Sequence, residues 1–256
     1  MAGMTAIPLQ TTVTGSGPGL VLAHGAGGTI DTNFGTLIPA LAATHTVVAS
    51  DYPDEDVRLD LDGLADALVG AAVERGVETF TVLGYSLGST VAVRAAVRHP
   101  DRVRGLILAA GFAKADNRAR LAVQLWQDLL ERGEATTFSR LTLSMAFSAT
   151  FLNELSADAV DEAVRAGATT IPGGTRQQAA LVERVDTTRD LPRLEVPTLI
   201  VNATEDLLID PSNSRFLADT IPGAEYTEIA AGHVLMAEQP EQWRKTVDEF
   251  LVRHSL

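Results

Sequence analysis

The chain has no cysteine among its 256 residues, so disulfides and thiolate metal sites are excluded. It is also poor in positive charge. Lys114 and Lys245 are the only lysines, beside eighteen arginines, and the formal net charge is −13. A surface of that sign repels phosphate, which argues against nucleic acid and anionic membranes and says little about a neutral substrate. No apolar run approaches the length of a membrane span. Met1–Gln10 lacks the basic start and apolar core of a leader, so a cytoplasmic location is expected. The five histidines (His24, His45, His99, His233, His254) form no H-x-x-x-H or H-E-x-x-H pair, so no zinc site is expected. No G-x-x-x-x-G-K-[ST] occurs, which removes the P-loop. Many alanines, with arginine preferred to lysine, suggest a GC-rich bacterial genome.

What is present is centred on Thr79–Thr90, TFTVLGYSLGST. Phe80–Leu83 is a short apolar run suited to a buried strand, and Thr90–Arg98 reads as a helix. Between them Gly84-Tyr85-Ser86-Leu87-Gly88 has the form G-x-S-x-G. Strand, sharp turn and helix are the context in which such a serine is held strained and exposed as a nucleophile. Positions two before and two after it must be small, because strand and helix backbones nearly touch there. Ser86 would also stand at a helix N-terminus, where free N–H groups favour developing negative charge.

Strands and helices alternate on either side of this centre. Strands are expected at Ile7–Thr14, Leu20–Ala23, Thr46–Ser50, Val103–Ala109, Thr198–Ala203 and Glu225–Ile229. Helices are expected from Asp31 or Thr32 to Ala43, and at Leu61–Arg75, Ser212–Thr220 and Pro240–Val252. This is the pattern of a mostly parallel sheet of about seven or eight strands with helices on both faces, an α/β class fold. Gly111–Leu194 breaks the alternation. It holds four helical stretches, Leu121–Arg132, Thr137–Phe151, Ala157–Ala166 and Arg176–Arg184, and no convincing strand. Residues 1–110 and 195–256 are therefore expected to form the sheet-bearing core, and 111–194 a helical insertion.

Reacting groups in open parallel sheets gather beyond the carboxyl ends of the strands. Ser86 lies at one such end. Asp206 lies three residues past Thr198–Ala203, with Glu205 and Asp210 as rival acids. His233 lies four past Glu225–Ile229, and His24-Gly25-Ala26-Gly27-Gly28 follows Leu20–Ala23. Gly25-Ala26-Gly27 partly mimics a dinucleotide fingerprint, but its third glycine position is Ile30, and Tyr85-x-x-x-Ser89 lacks the lysine of short-chain reductases.

With HGAGG, GYSLG, the segment Pro197–Asp206 and Gly232-His233 in this order, the chain resembles the α/β-hydrolase superfamily. The likeness is to its capped branch of esterases, lactonases, cofactor-free haloperoxidase-like enzymes and carbon–carbon hydrolases. It runs from about Gly15 to Leu251. It implies Ser86 as nucleophile, His233 as base and Asp206 as the acid that orients the base. It implies the N–H groups of Ala26 and Leu87 as oxyanion donors, a cap formed by 111–194, and no cofactor. His24 reads as a structural member of the oxyanion loop. With Tyr85, Trp126, Met145, Phe147 and Phe151 it is a candidate lining residue of an apolar substrate pocket. The implied reaction is hydrolysis of a carboxylic ester or lactone of a small apolar substrate. Carbon–carbon hydrolysis or perhydrolysis on the same residues is the alternative, and a binding protein with a vestigial triad a further one. Epoxide and haloalkane hydrolysis need a carboxylate in place of Ser86. Association into a homo-oligomer is compatible with the sequence. One departure is Asp51–Asp56, which lacks the glycine-rich turn usual after this strand; its acids Asp51, Asp54, Glu55 and Asp56 read as a solvated loop.

Overall fold

The computed structural model describes residue 7, residues 9–55 and residues 57–256. Residues 1–6, Pro8 of the first expected strand and Asp56 of the acidic loop thus lie outside the described residues. Seven strands form one sheet: β1 (Gln10–Gly15), β2 (Gly19–Ala23), β3 (Thr46–Asp51), β4 (Phe80–Tyr85), β5 (Val103–Ala109), β6 (Thr198–Ala203) and β7 (Glu225–Ile229). Their order is β1-β3-β2-β4-β5-β6-β7; β1 runs antiparallel to β3, and every other pair is parallel. β4 and β6 are buried throughout, as near-continuous apolar runs require in a sheet covered on both sides.

Side-chain alternation divides the core in two. Val21, Val48, Val82 and Leu106 face one side, where they meet Leu64 and Leu68 of α3 (Leu61–Glu74) and Val91 of α4 (Leu87–Arg98). Leu20, Leu22, Leu83 and Ile107 face the other, covered by Phe34 of α1 (Ile30–Phe34), Leu41 of α2 (Ile38–Leu41) and Trp243 of α12 (Pro240–His254). The crossovers from β2 to β3 and from β3 to β4 lead to opposite sides of β2. The carboxyl ends of β2 and β4 thus border the switch point where a crevice opens.

Between β5 and β6 stand α5 (Asn117–Glu131), α6 (Ala135–Ala146), α7 (Ala149–Glu154), α8 (Ala157–Thr169) and α9 (Thr175–Arg184), with no sheet strand among them. A lone bridge of Lys114 with Asp186, and the Thr187 N–H on the Ala113 carbonyl at 2.8 Å, tie the entry of this segment to its exit. α10 (Pro211–Thr220) and the short α11 (Leu235–Glu238) complete the helices, with a 3-10 turn at Leu191–Arg193.

Two expected helices are split. The first becomes α1 and α2, because Pro39 has no N–H and its ring would strike the Gly35 carbonyl of a continuous helix. The second, expected over Thr137–Phe151, breaks into α6 and α7 at Phe147, which is extended at φ −99°, ψ 147°. Ser148 caps α7 through its Oγ, 3.1 Å from the Phe151 nitrogen. Its own N–H and hydroxyl both donate to Glu238, at 2.8 and 2.5 Å. The cause of this break lies ninety residues away in the chain. Among the described residues no helix is long and apolar enough to cross a membrane.

Candidate active site

Ser86 has φ 53° and ψ −118°, a conformation a non-glycine residue adopts only when its surroundings compel it. Its N–H is tied to the Ala109 carbonyl (2.9 Å), and its carbonyl receives the Ser89 N–H (2.9 Å). The crowding explains the flanking glycines. A Cβ on Gly84 would lie 2.4 Å from the Gly88 carbonyl oxygen, and one on Gly88 would lie 1.9 Å from that of Ala23.

Past β7, His233 is buried and faces Ser86, its Nε2 3.0 Å from Oγ. Its Nδ1 lies 2.6 Å from Oδ2 of buried Asp206. The carboxylate accepts, so Nδ1 carries the proton and Nε2 presents a lone pair to the Ser86 hydroxyl. The other oxygen of Asp206 accepts from the Leu208 and Ile209 N–H groups, both at 2.8 Å. The rival acids stand elsewhere. Glu205 makes no side-chain hydrogen bond among the described residues, and Asp210 caps α10 through the Ser212 N–H at 3.0 Å. The buried Tyr85 hydroxyl donates to the His233 carbonyl at 3.0 Å. Burial, and secondarily the negative field of Asp206, hold that phenol far above its usual pKa, so it remains a neutral donor.

The loop after β2 brings its backbone beside the serine. A Cβ on Gly25 would lie 3.2 Å from that of Ser86. Gly25 N–H donates to Asn33 Oδ1 (2.9 Å) and Gly27 N–H to Gln178 Oε1 of α9 (2.8 Å). The N–H groups of Ala26 and Leu87 make no hydrogen bond among the described residues. These two free donors leave positive partial charge beside the Ser86 hydroxyl.

His24 lies beneath this loop. Its Nδ1–H donates to the Gly25 carbonyl (2.8 Å), its Nε2 accepts the Tyr52 N–H (3.0 Å), and its ring lies 3.8 Å from that of Tyr52. Burial lowers its pKa to about 4, against weaker opposing effects of the Gly25 hydrogen bond and of Asp51.

Ser86 and His233 open onto a cavity of about 490 Å³. Tyr85, Trp126 and Phe147 line it. His24, Met145 and Phe151, the other candidate pocket residues, do not. His24 is held under the loop by both nitrogens, Met145 packs into the first core cluster, and Phe151 stacks on Phe147 from beyond the helix break, with ring centres 5.2 Å apart. Lining residues the sequence reading missed include Asn33, Phe112, Phe138, Ser139, Leu208 and Ile209. Leu208 and Ile209 could have been found, since they lie two and three residues past Asp206; Phe138 and Ser139 needed the packing of α6. Among the described lining residues there is no Asp, Glu, Lys or Arg.

His99 and His254 are each paired with a carboxylate: His99 Nε2 is 2.8 Å from Asp66 and His254 Nε2 is 2.5 Å from Glu225. His45 precedes β3 and reaches the Leu256 carbonyl at 3.1 Å. In the loop after β3, Asp51 accepts the Ile30 N–H at 2.7 Å and Asp54 the Gly174 N–H at 3.3 Å. Among the described residues no three His, Asp or Glu side chains are grouped to hold a metal.

A family model described as the alpha/beta hydrolase fold matches residues 65–240. A pyrrolizixenacetamide deacetylase of Xenorhabdus hominickii is 34% identical over 94% of this chain and 93% of that protein. A pimeloyl-[acyl-carrier protein] methyl ester esterase of Xanthomonas oryzae pv. oryzae is 29% identical over 93% of this chain and 97% of that protein. Among solved structures, the hydrolase MGS-M2 from a Medee basin deep-sea metagenome superimposes with a TM-score of 0.87 at 19% identity, covering 95% of this chain and 94% of that one.

Proposed function

Since the chain belongs to the alpha/beta hydrolase fold family and is a hydrolase, we propose that it acts as a serine hydrolase on a small, uncharged, largely apolar carboxylic ester or lactone. The observation that carries this reading is the unbroken line from Asp206 through His233 to Ser86 at the wall of an apolar cavity. A serine hydroxyl is too weakly acidic to attack unaided. His233 Nε2 takes its proton as Oγ bonds to the substrate carbonyl carbon. The imidazolium so formed is stabilised by Asp206 through Nδ1–H. The carbonyl oxygen becomes an oxyanion received by the N–H groups of Ala26 and Leu87, each worth about 3 kcal/mol of barrier. Collapse expels the leaving oxygen with the proton from His233, leaving an acyl group on Ser86. Water then repeats the steps, with His233 as base, to release the acid.

On this reading residues 111–194 are a cap. Support comes from their contribution of Trp126, Phe138, Ser139 and Phe147 to the cavity and of Gln178 to the loop after β2. The similarity to a deacetylase named for an acetamide favours a second reading, in which the leaving atom is an amide nitrogen. The same residues serve it, with His233 protonating the departing amine.

Incubation with a fluorophosphonate and intact-mass measurement tests the nucleophile. One adduct is expected on the wild type and none on a folded Ser86→Ala. Labelling that survives the substitution would remove Ser86 from the mechanism. Turnover of matched esters and acetamides then separates the two readings.

A further inference from the structure

Three hydroxyls of the helical segment line the cavity: Ser139, Thr142 and Thr170. Two of them turn back on their own helices. Thr142 Oγ1 donates to the Phe138 carbonyl at 2.9 Å and Thr170 Oγ1 to the Ala166 carbonyl at 3.2 Å. Ser139 differs. It is only 4% exposed, yet its Oγ makes no hydrogen bond among the described residues. Its neighbour across the cavity wall is Gly167 of α8, also a lining residue, where a Cβ would lie 2.4 Å from that oxygen. The absence of a side chain at Gly167 leaves the hydroxyl its room. The hydroxyl opens onto the cavity, so its hydrogen-bond partner is whatever occupies that space, water or a group of the substrate.

Its position along α6 indicates what that partner is. Ala146, at the other end of the same helix face, accepts the Val234 N–H at 3.1 Å and so adjoins His233. Ser139 lies seven residues earlier in the chain, two helical turns or about 10 Å away. Because Ser86 and Ser139 line the same cavity, a substrate with its carbonyl at Ser86 can meet Ser139 with an atom several bonds further on. The cavity offers no side chain to balance a charge there, whereas a hydroxyl both donates and accepts.

We infer that Ser139 is a specificity-determining residue, which receives a neutral hydrogen-bonding group of the substrate, such as a ketone, hydroxyl or amide, about two helical turns from the reacting carbonyl. This rests on the serine-hydrolase reading.

The test uses two matched pairs of neutral esters. One pair has an acyl chain of about eight carbons, with and without a ketone near its far end. The other carries the same difference in the alcohol. In the wild type, one pair should show about a tenfold higher kcat/KM for the keto compound, expressed mainly in KM. Ser139→Ala should reduce that preference by about tenfold. Gly167→Ala, which presses a methyl group onto the hydroxyl without removing it, should reduce it too. No preference in either pair, or a preference that persists in both variants, overturns the inference. Fluorophosphonate labelling of the wild type keeps the two failures apart. Absence of an adduct sinks the hydrolase reading, whereas an adduct with an unaltered preference sinks the role of Ser139 alone.

Discussion

At Asp206 two backbone N–H groups hold one oxygen and leave the other for His233. That asymmetry makes Asp206→Asn informative. The amide oxygen must take the place facing Leu208 and Ile209, so the NH2 group must face Nδ1. The imidazole is then driven to the tautomer with its proton on Nε2, where it cannot accept one from Ser86. Ester turnover should fall by about 10⁴-fold. Glu205→Gln should leave it within about twofold, because Glu205 touches no part of this line; steady-state kinetics of the two folded variants decides. His24 supplies a second prediction. Its folded pKa of about 4 lies below the ordinary 6.5, so the unfolded chain binds the proton more readily. Its contribution is therefore fully present above about pH 6.5 and is lost as pH falls towards 4, up to about 3 kcal/mol. Urea denaturation from pH 7 to 4.5 should show this slope in the wild type, and a shallower one in a folded His24→Asn.

Among the elements, the junction of α6, α7 and the loop carrying His233 depends on one side chain. Glu238 accepts from the Ser148 N–H, the Ser148 hydroxyl and, at 3.1 Å, the Gly232 N–H. It thereby joins the helical segment to the residue preceding His233. An alanine there would leave all three donors without their acceptor. Glu238→Ala should cost about 1–3 kcal/mol of stability and slow fluorophosphonate labelling of Ser86, read by thermal melting and by time-resolved intact mass. Normal labelling at reduced stability would limit Glu238 to a structural part. The same junction shows where sequence patterning stops being informative. Ser-x-x-Phe within an apolar helical run carries no mark of a break until Glu238 supplies partners for Ser148. By contrast, the break between α1 and α2 was legible in Pro39.

For the whole molecule, two facts act together: a net charge of −13 and a cavity whose described lining holds no ionised carboxylate, ammonium or guanidinium. An anionic substrate would meet repulsion on approach and find no counter-charge on arrival. Neutral p-nitrophenyl esters should exceed dicarboxylic half-esters of equal chain length by at least about 100-fold in kcat/KM, which a substrate panel measures directly. Part of that difference should shrink as salt screens the long-range field, and the part due to desolvation should persist.

The amino-acid sequence by itself determined the sheet, the strand–turn–helix around Ser86 and the order of serine, aspartate and histidine. Each is written in local terms: apolar runs bounded by turns, glycines two residues either side of Ser86, and polar residues just past strand ends. It also narrowed the partner of His233 to neighbouring carboxylates without choosing between them on physical grounds. Consecutive residues past a strand point in different directions, and only the fold shows that Asp206 turns inward. Tertiary structure alone decided which aromatic residues meet the cavity, that His24 is turned away under its loop, and that Ser139 is left unpaired. Helical spacing defines a face, but what that face meets depends on packing between segments far apart in the chain. Gln178 on Gly27 and Glu238 on Ser148 are such meetings, and no local pattern encodes either.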